Sequence, residues 1–279
     1  MDYLAAIHQR VSTRSYADRS VDPALLEHLL DFARDADHLT DVAPRLASIS
    51  GVDQVSDVLT FMIGSYGLVR NAPHLLVGVL PEESEPARVD LGYVLEQVVL
   101  EATRLGLGTC WITGTYDPGR AADAVKLEPG EVAAAVCALG YPTDEGFGRL
   151  HTRIIRRLAR GQKRKPLTEI IFSKRWGVPW SPQDADPTLV TILEHARLAP
   201  SAANSQPWRF VVDADRLTLA VVRPSFIDAG IVMSHVTLAS AAVERTGHWE
   251  LRLRDEKLAR TYNLPRRAIP VATFASSDS

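Results

Sequence analysis

The chain partly repeats itself. DLGYVLEQVVLEATRLGLGTCW, from Asp90 to Trp111, aligns without a gap on DAGIVMSHVTLASAAVERTGHW, from Asp228 to Trp249. The offset is 138 residues, about half of the 279. Six of the 22 aligned positions are identical: Asp90/Asp228, Gly92/Gly230, Val94/Val232, Val98/Val236, Leu100/Leu238 and Trp111/Trp249. In the first copy Leu91, Val94, Leu95, Val98, Ala102 and Leu105 recur at helical spacing. Ala229, Val232, Met233, Val236, Ser240 and Val243 answer them in the second. Each stretch therefore reads as a long helix with a broad apolar face, expected over 88–105 and 228–245. Such a face is more often core than functional surface.

Other pairs follow in the same order. Asp22-Pro23 and Asp186-Pro187 each set an N-cap Asp before a Pro at the first helical position, with helices expected over 23–34 and 187–197. Ser12-Thr13-Arg14, after a short helix over 2–10, is echoed by Ser173-Lys174-Arg175. The strand-like EVAAAVCALGY from Glu131 is echoed by IPVATFAS from Ile269. Further strand-like runs are 74–80, 109–113, 208–212, 216–222 and 249–253. The segment 35–61 lacks a clear period. The order points to two diverged copies of one α+β unit. The expected organisation is a first half over 1–148, a basic connecting segment over 149–166 and a second half over 167–279, the halves packing as one unit.

Composition limits what such a unit can do. The net charge is −3, with 46% hydrophobic and 23% charged residues, as in ordinary globular chains and unlike disordered ones. No whole-molecule charge favours nucleic acid or a membrane surface. No apolar run approaches the roughly 18–20 residues of a spanning helix, and MDYLAAIHQR does not read as a secretory leader. Cys110 and Cys137 sit in apolar runs and read as buried thiols. A cytoplasmic protein is expected. The eight histidines show no metal-ligand spacing, and no metal is expected. Phosphate-loop, Gly-x-Ser-x-Gly and His-Glu-x-x-His signatures are absent.

Two segments carry chemistry instead. Arg10-Val11-Ser12-Thr13-Arg14 sets two guanidiniums and a hydroxyl at spacing two, which suits a phosphate or a plain solvated surface. LAPSAANSQPWRF, from Leu198, joins small residues to Ser, Asn and Gln between two prolines. That suits the polar edge of a flat heterocycle, or an ordinary turn before a strand. The joint RLHTRIIRRLARGQKRKPL, from Arg149, holds eight basic residues and no acidic one. It reads as a solvated connection, a phosphate contact from its end, or less readily a nucleic-acid patch, since it lacks aromatics for stacking.

Taken together, Arg10-x-Ser12-x-Arg14 before the Asp-Pro helix, LGLGTCWI from Leu105, LGYP from Leu139 and APSAANSQPWRF resemble the FMN-dependent nitroreductase family. The likeness covers nearly the whole chain. Ordinary members carry every motif in one copy and bind FMN between two identical subunits. This chain resembles the tandem subgroup, in which both halves lie on one chain. The resemblance implies a nitroreductase-like fold, with antiparallel-rich sheets flanked by helices, and an NAD(P)H oxidoreductase. Hydride would pass by a ping-pong route through flavin N5 to a nitroaromatic, a quinone or another small acceptor. The alternative is a flavin-binding or regulatory protein with little turnover.

The same resemblance assigns sites residue by residue. Arg10, Ser12 and Arg14 would meet the phosphate and ribityl end. Pro200, Ser201, Ala202, Asn204 and Gln206 would meet the ribityl chain and ring edge from the other half. Thr113 and Gly114 would lie near N5 and the pyrimidine, and Arg164 and Lys165 would reach the phosphate. No side chain is named as catalytic. The first half lacks the Pro-Ser-x-x-Asn loop, reading RDADHLTDVAPR there, and the second has Ile171 where the first has Arg10. One composite site is complete, so one FMN per chain is expected in a monomer acting as a pseudo-dimer, and neither half should bind flavin alone. The walls that choose the acceptor are expected within 35–66.

Overall fold

Local chemistry sets most helix starts. Asp22 accepts from Ala24 N at the start of α1's successor, helix α2 (Pro23–Arg34), where α1 itself is Tyr3–Gln9. Asp186 does the same from Thr188 N for α7 (Pro187–Ala196). Asp117 accepts from Arg120 N and opens α5 (Pro118–Val125) with the same Asp-Pro pair. Ser84 caps α4 (Glu85–Arg104), and Asp255 caps α9 (Glu256–Thr261). Each such cap contributes about 1 kcal/mol by satisfying an N–H that the helix cannot. Two further helices, α3 (Val52–Val58) and α6 (Leu167–Ile170), lack a side-chain cap, and α8 (Phe226–Ala242) follows Ser225, also without one.

The fold is that of a computed structural model, which describes residues 2–41, 43–59, 69–143 and 163–276. Two sheets form. The first has the order β1 (Arg45–Ser50), β2 (His74–Leu80), β4 (Val132–Gly140), β3 (Gly108–Ile112), with every pair antiparallel. The second has the order β5 (Ile171–Ser173), β6 (Trp208–Asp213), β7 (Arg216–Val221), β9 (Ile269–Ser276), β8 (Gly247–Leu251). There only β5 and β6 run parallel. Removing β5 leaves two sheets of the same order, β1-β2-β4-β3 and β6-β7-β9-β8. The architecture is α+β and antiparallel-rich. Among the described residues no helix is long and apolar enough to cross a membrane.

The long helices α4 and α8 pack against each other at the centre, and the repeat identities explain how. A Cβ on Gly92 would lie 2.2 Å from the Ile227 carbonyl oxygen, and one on Gly230 would lie 1.9 Å from that of Val89. The backbones touch at the glycine pair, a separation no larger residue permits. Leu91, Leu95 and Val98 of α4 and Val232 and Val236 of α8 are fully buried.

The structure also amends the sequence reading. The unpatterned segment 35–61 contains β1 and α3; residues 60–61 lie outside the described residues. β1 is an edge strand of mostly half-buried residues, so RLASIS shows no alternation. The expected helix over 228–245 begins at Phe226 and ends at Ala242. The strand expected over 249–253 is β8, two residues earlier. The two Ser-x-Arg segments take different positions: Ser12 bridges Thr109 on β3, whereas Ser173 ends β5, against β6. Most of the basic joint, 149–162, lies outside the described residues. Cys110 and Cys137 are free and buried. Cys110 pairs with Ala138 and Cys137 with Trp111, so the thiols face opposite sides of the sheet.

Candidate functional site

A cavity of ≈ 490 Å³ opens between the first-half turn after α1 and the second-half loop after α7. That lies within the roughly 300–1,000 Å³ of small-molecule sites. Of the residues singled out from sequence, Arg10, Ser12, Arg14, Thr113, Gly114, Arg164, Pro200, Ser201, Ala202 and Asn204 line it. Lys165 and Gln206 stand behind the wall instead. Acceptor-choosing walls are expected within 35–66; none of the described residues there lines the cavity, and 42 and 60–66 lie outside the described residues.

The second-half wall is a strained loop held from behind. Ala203, Asn204 and Gln206 have φ of +54, +51 and +47°. Such left-handed conformations cost about 1–2 kcal/mol each for residues with a Cβ. Gln206 is buried and repays part of that cost. Its backbone N–H donates to Ser201 Oγ at 2.9 Å. Its Nε2 donates to the Lys163 and Asn204 carbonyls, and its Oε1 accepts from Lys165 N at 2.8 Å. Arg164 donates to Asn204 Oδ1 at 2.5 Å and to the Leu198 carbonyl at 3.1 Å. The end of the basic joint is thereby stitched to the loop. Gln206 positions the wall, and Arg164 brings its guanidinium to the cavity edge.

The first-half wall is fixed by the sheet. Thr13 N donates to the Thr109 carbonyl at 2.8 Å, and Tyr16 Oη donates to the Thr13 and Ala138 carbonyls. Burial drives the Tyr16 phenol well above its ordinary range, so it stays protonated and keeps donating. Arg10 and Arg14 reach the cavity with little exposure of their own. The Arg10 Nε is buried and has no hydrogen-bond partner among the described residues. The Glu96 carboxyl oxygen Oε1 lies 3.9 Å from it.

Behind this wall lie residues the sequence reading passed over. Glu96 on α4 is fully buried, and its Oε2 accepts from Trp111 Nε1 at 2.6 Å. Its Oε1 meets His235 Nε2 of α8 at 2.9 Å and Arg10 Nε at 3.9 Å. Asp228, at the start of α8, also lines the cavity and accepts from Ala202 N at 3.0 Å. Burial raises its carboxyl from 3.8 to about 6, against the lowering effects of the Ala202 bond and Arg223. Two of these four had a signal in sequence: Asp228 and Trp111 belong to the repeat identities. Glu96 and His235 were visible only as polar residues on otherwise apolar helices.

Three guanidiniums against one carboxyl make the cavity cationic. Small residues at 200–203 and the open space beside Gly114 admit a flat ring. Exposed backbone near Thr113 and Gly114 can approach it closely. The donor set thus fits a flat ligand with an anionic tail. Among the described residues no group of three or more potential metal-ligating side chains occurs.

A family model described as "Putative TM nitroreductase" matches residues 2–240. Among solved structures, a "putative nitroreductase" from Thermotoga maritima MSB8 is 21% identical, with a TM-score of 0.62. The match covers 99% of this chain and 94% of that one, and it shows a shared nitroreductase fold. A nitroreductase family protein from Clostridium novyi NT is 20% identical at a TM-score of 0.46, covering 66% of this chain and 100% of its own. An "FMN-dependent Nitroreductase" from Clostridium difficile R20291 is 19% identical at a TM-score of 0.44, covering 50% and 88%. No curated protein matches the chain significantly.

Proposed function

The chain belongs to the "Putative TM nitroreductase" family, and from that membership we propose that it is an FMN-dependent NAD(P)H oxidoreductase acting on a nitroaromatic, a quinone or another small acceptor. The observation that carries this reading is the cavity itself: one cationic cleft walled by both halves and lined by Arg10, Arg14 and Arg164. When bound, FMN supplies the two-electron hydride chemistry. Arg10, Arg14 and Arg164 would hold its anionic end by charge-assisted bonds, and Ser12 would add a hydroxyl donor. The small residues of the 200–204 loop would accept the flat ring, and backbone donors at Thr113 and Gly114 would orient its polar edge.

The two halves, 1–148 and 167–279, act in this reading as a single-chain pseudo-dimer with one composite site and one FMN. Each described sheet being built from one half supports it, as does Ile171 standing where the repeat would need a second Arg10. Two buried free thiols suit a reducing, cytoplasmic setting. The test is the visible spectrum of the purified chain, its flavin-to-protein ratio, and NAD(P)H oxidation with a quinone or nitroaromatic. A yellow protein with a ratio of one and acceptor-dependent turnover is expected. A colourless protein that FMN cannot reconstitute, or a ratio of two, overturns the reading. Bound flavin without turnover favours a flavin-binding protein instead.

A further inference from the structure

Behind the 200–206 loop, outside the cavity, lies a second set of cations. Arg209, the second residue of β6, is half-buried. Its Nη1 donates to the Trp208 carbonyl at 2.6 Å and to the Gln206 carbonyl at 3.1 Å. Lys165 Nζ donates to that same Gln206 carbonyl at 3.3 Å. One oxygen therefore gathers two cationic groups, and among the described residues neither has a carboxylate in ion-pair contact. The two carbonyl bonds fix the plane of the Arg209 guanidinium. Its Nε and Nη2, along another edge, have no hydrogen-bond partner among the described residues. These two groups donate in parallel and match two oxygens of one oxyanion.

More charge of the same sign surrounds them. Arg209, Ala220 and Pro270 stand in register across β6, β7 and β9, and Arg267 lies in the turn before β9. The Arg267 charge acts on Arg209, and that of Arg223, just after β7, acts on Lys165. Arg223 is itself tied to the loop through Ser205 Oγ. Glu169 is the acid that acts on both Lys165 and Arg209, and among the described residues it pairs with neither. Burial, then Arg209 and Arg223, hold the Lys165 ammonium below its ordinary range against Glu169. Burial does the same to Arg209, with Glu169 opposing and Arg267 adding to it. Like charges held this close repel, and an anion between them removes the repulsion.

We propose that Arg209 and Lys165, with Arg223 and Arg267 beside them, form a second oxyanion site, outside the cavity, that takes a phosphate group. The Arg209 fork grips two phosphate oxygens, and Lys165 adds a point charge. Two sources carry that chemistry: a phosphate of the nicotinamide nucleotide that serves as reductant, or free phosphate. Lys165 directly follows Arg164, whose guanidinium lines the cavity, so consecutive residues join the two sites. The site stands on this geometry alone. Only its use by the reducing nucleotide rests on the function proposed above.

The test is titration of the full chain with inorganic phosphate, followed at the Arg209 Nε–H signal by nitrogen–proton NMR. Its absence in Arg209→Gln assigns that signal, and its position separates this site from phosphate entering the cavity. Phosphate should shift it saturably, and sodium chloride at equal ionic strength should not. Lys165→Gln should weaken phosphate binding about 10-fold, and Arg267→Gln, which removes an exposed charge, about 2- to 5-fold. The KM values for NADPH and NADH in wild type and Arg209→Gln then identify the source. A rise of about 10-fold for NADPH alone places its 2′-phosphate at the site, and a rise for both places the pyrophosphate there. Unchanged KM values beside a phosphate-shifted Arg209 make free phosphate the ligand. No saturable shift, a chloride response equal to that of phosphate, or wild-type phosphate affinity in both Lys165→Gln and Arg267→Gln overturns the proposal. Failure to bind FMN or to oxidise NAD(P)H counts instead against the function proposed above, and the phosphate titration is read without either.

Discussion

Asp90 and Asp228 sit one repeat apart, on the two central helices, and each catches the loop that follows its own half's Asp-Pro helix. Their surroundings differ. Asp90 is fully buried and saturated: its oxygens accept from Leu39 N, Thr40 N and Thr40 Oγ1, with His38 at 3.5 Å. Among the described residues Asp228 accepts one hydrogen bond, from Ala202 N, and it faces the cavity. In the first half the loop carboxylate is consumed in structure. In the second it holds the loop with one oxygen and leaves the site a titratable group. The two aligned positions thus make similar contacts that serve different ends.

The comparison can be broken first at the point both halves share. Gly230→Ala places a Cβ against the Val89 carbonyl and should destabilise the protein by about 3 kcal/mol or more, read by chemical denaturation. An unchanged midpoint would show that α4 and α8 can part without cost. The Asp pair should then respond with opposite signs. The Asp228 carboxyl, raised to about 6 by burial, holds its proton more tightly than in the unfolded chain. Its favourable contribution is complete below about pH 4 and lost as pH rises through 6, worth about 2–3 kcal/mol. Asp228→Asn should therefore gain stability over wild type at pH 7.5 and not at pH 4. Asp90→Asn should lose about 1–3 kcal/mol at pH 7.5, because its amide turns a donor toward a donor.

Ligand binding should separate the halves further. Arg10→Ala should weaken flavin binding about 10- to 100-fold, the worth of one charge-assisted hydrogen bond, measured by fluorescence titration. Its repeat-related region carries the smallest expected effect. Arg175 is exposed and lies beside β5, away from the cavity, so Arg175→Ala should leave flavin affinity unchanged. A loss there equal to that of Arg10→Ala would mean that a second site exists.

The repeat made the α+β organisation legible, because hydrophobic periodicity and Asp-Pro caps are local signals. It also held more than it revealed. Asp117-Pro118 repeats the helix-start device of Asp22-Pro23 and marks α5, yet no long apolar stripe follows it to attract notice. β1 escaped because an edge strand needs no alternating burial. Of the site, the Arg10–Arg14 segment and the 200–206 loop were legible from their residue types. The roles of Lys165 and Gln206 were not, since stitching the loop from behind and facing a ligand call for the same donors and acceptors.

What the sequence alone determined is the inventory: an internal repeat, most of the helices and strands, and on which side of the repeat each motif lies. These follow from local propensity and from spacing along one chain. Only the tertiary structure decided that Gly92 meets Gly230's helix backbone to backbone, and that Ser12 and Ser173 take different sheet positions. It alone placed Glu96 of one half against His235 of the other behind Arg10. Those facts depend on contacts between residues up to 141 positions apart. A buried charge and its partner carry no sequence spacing that links them, because packing, not the chain, brings them together.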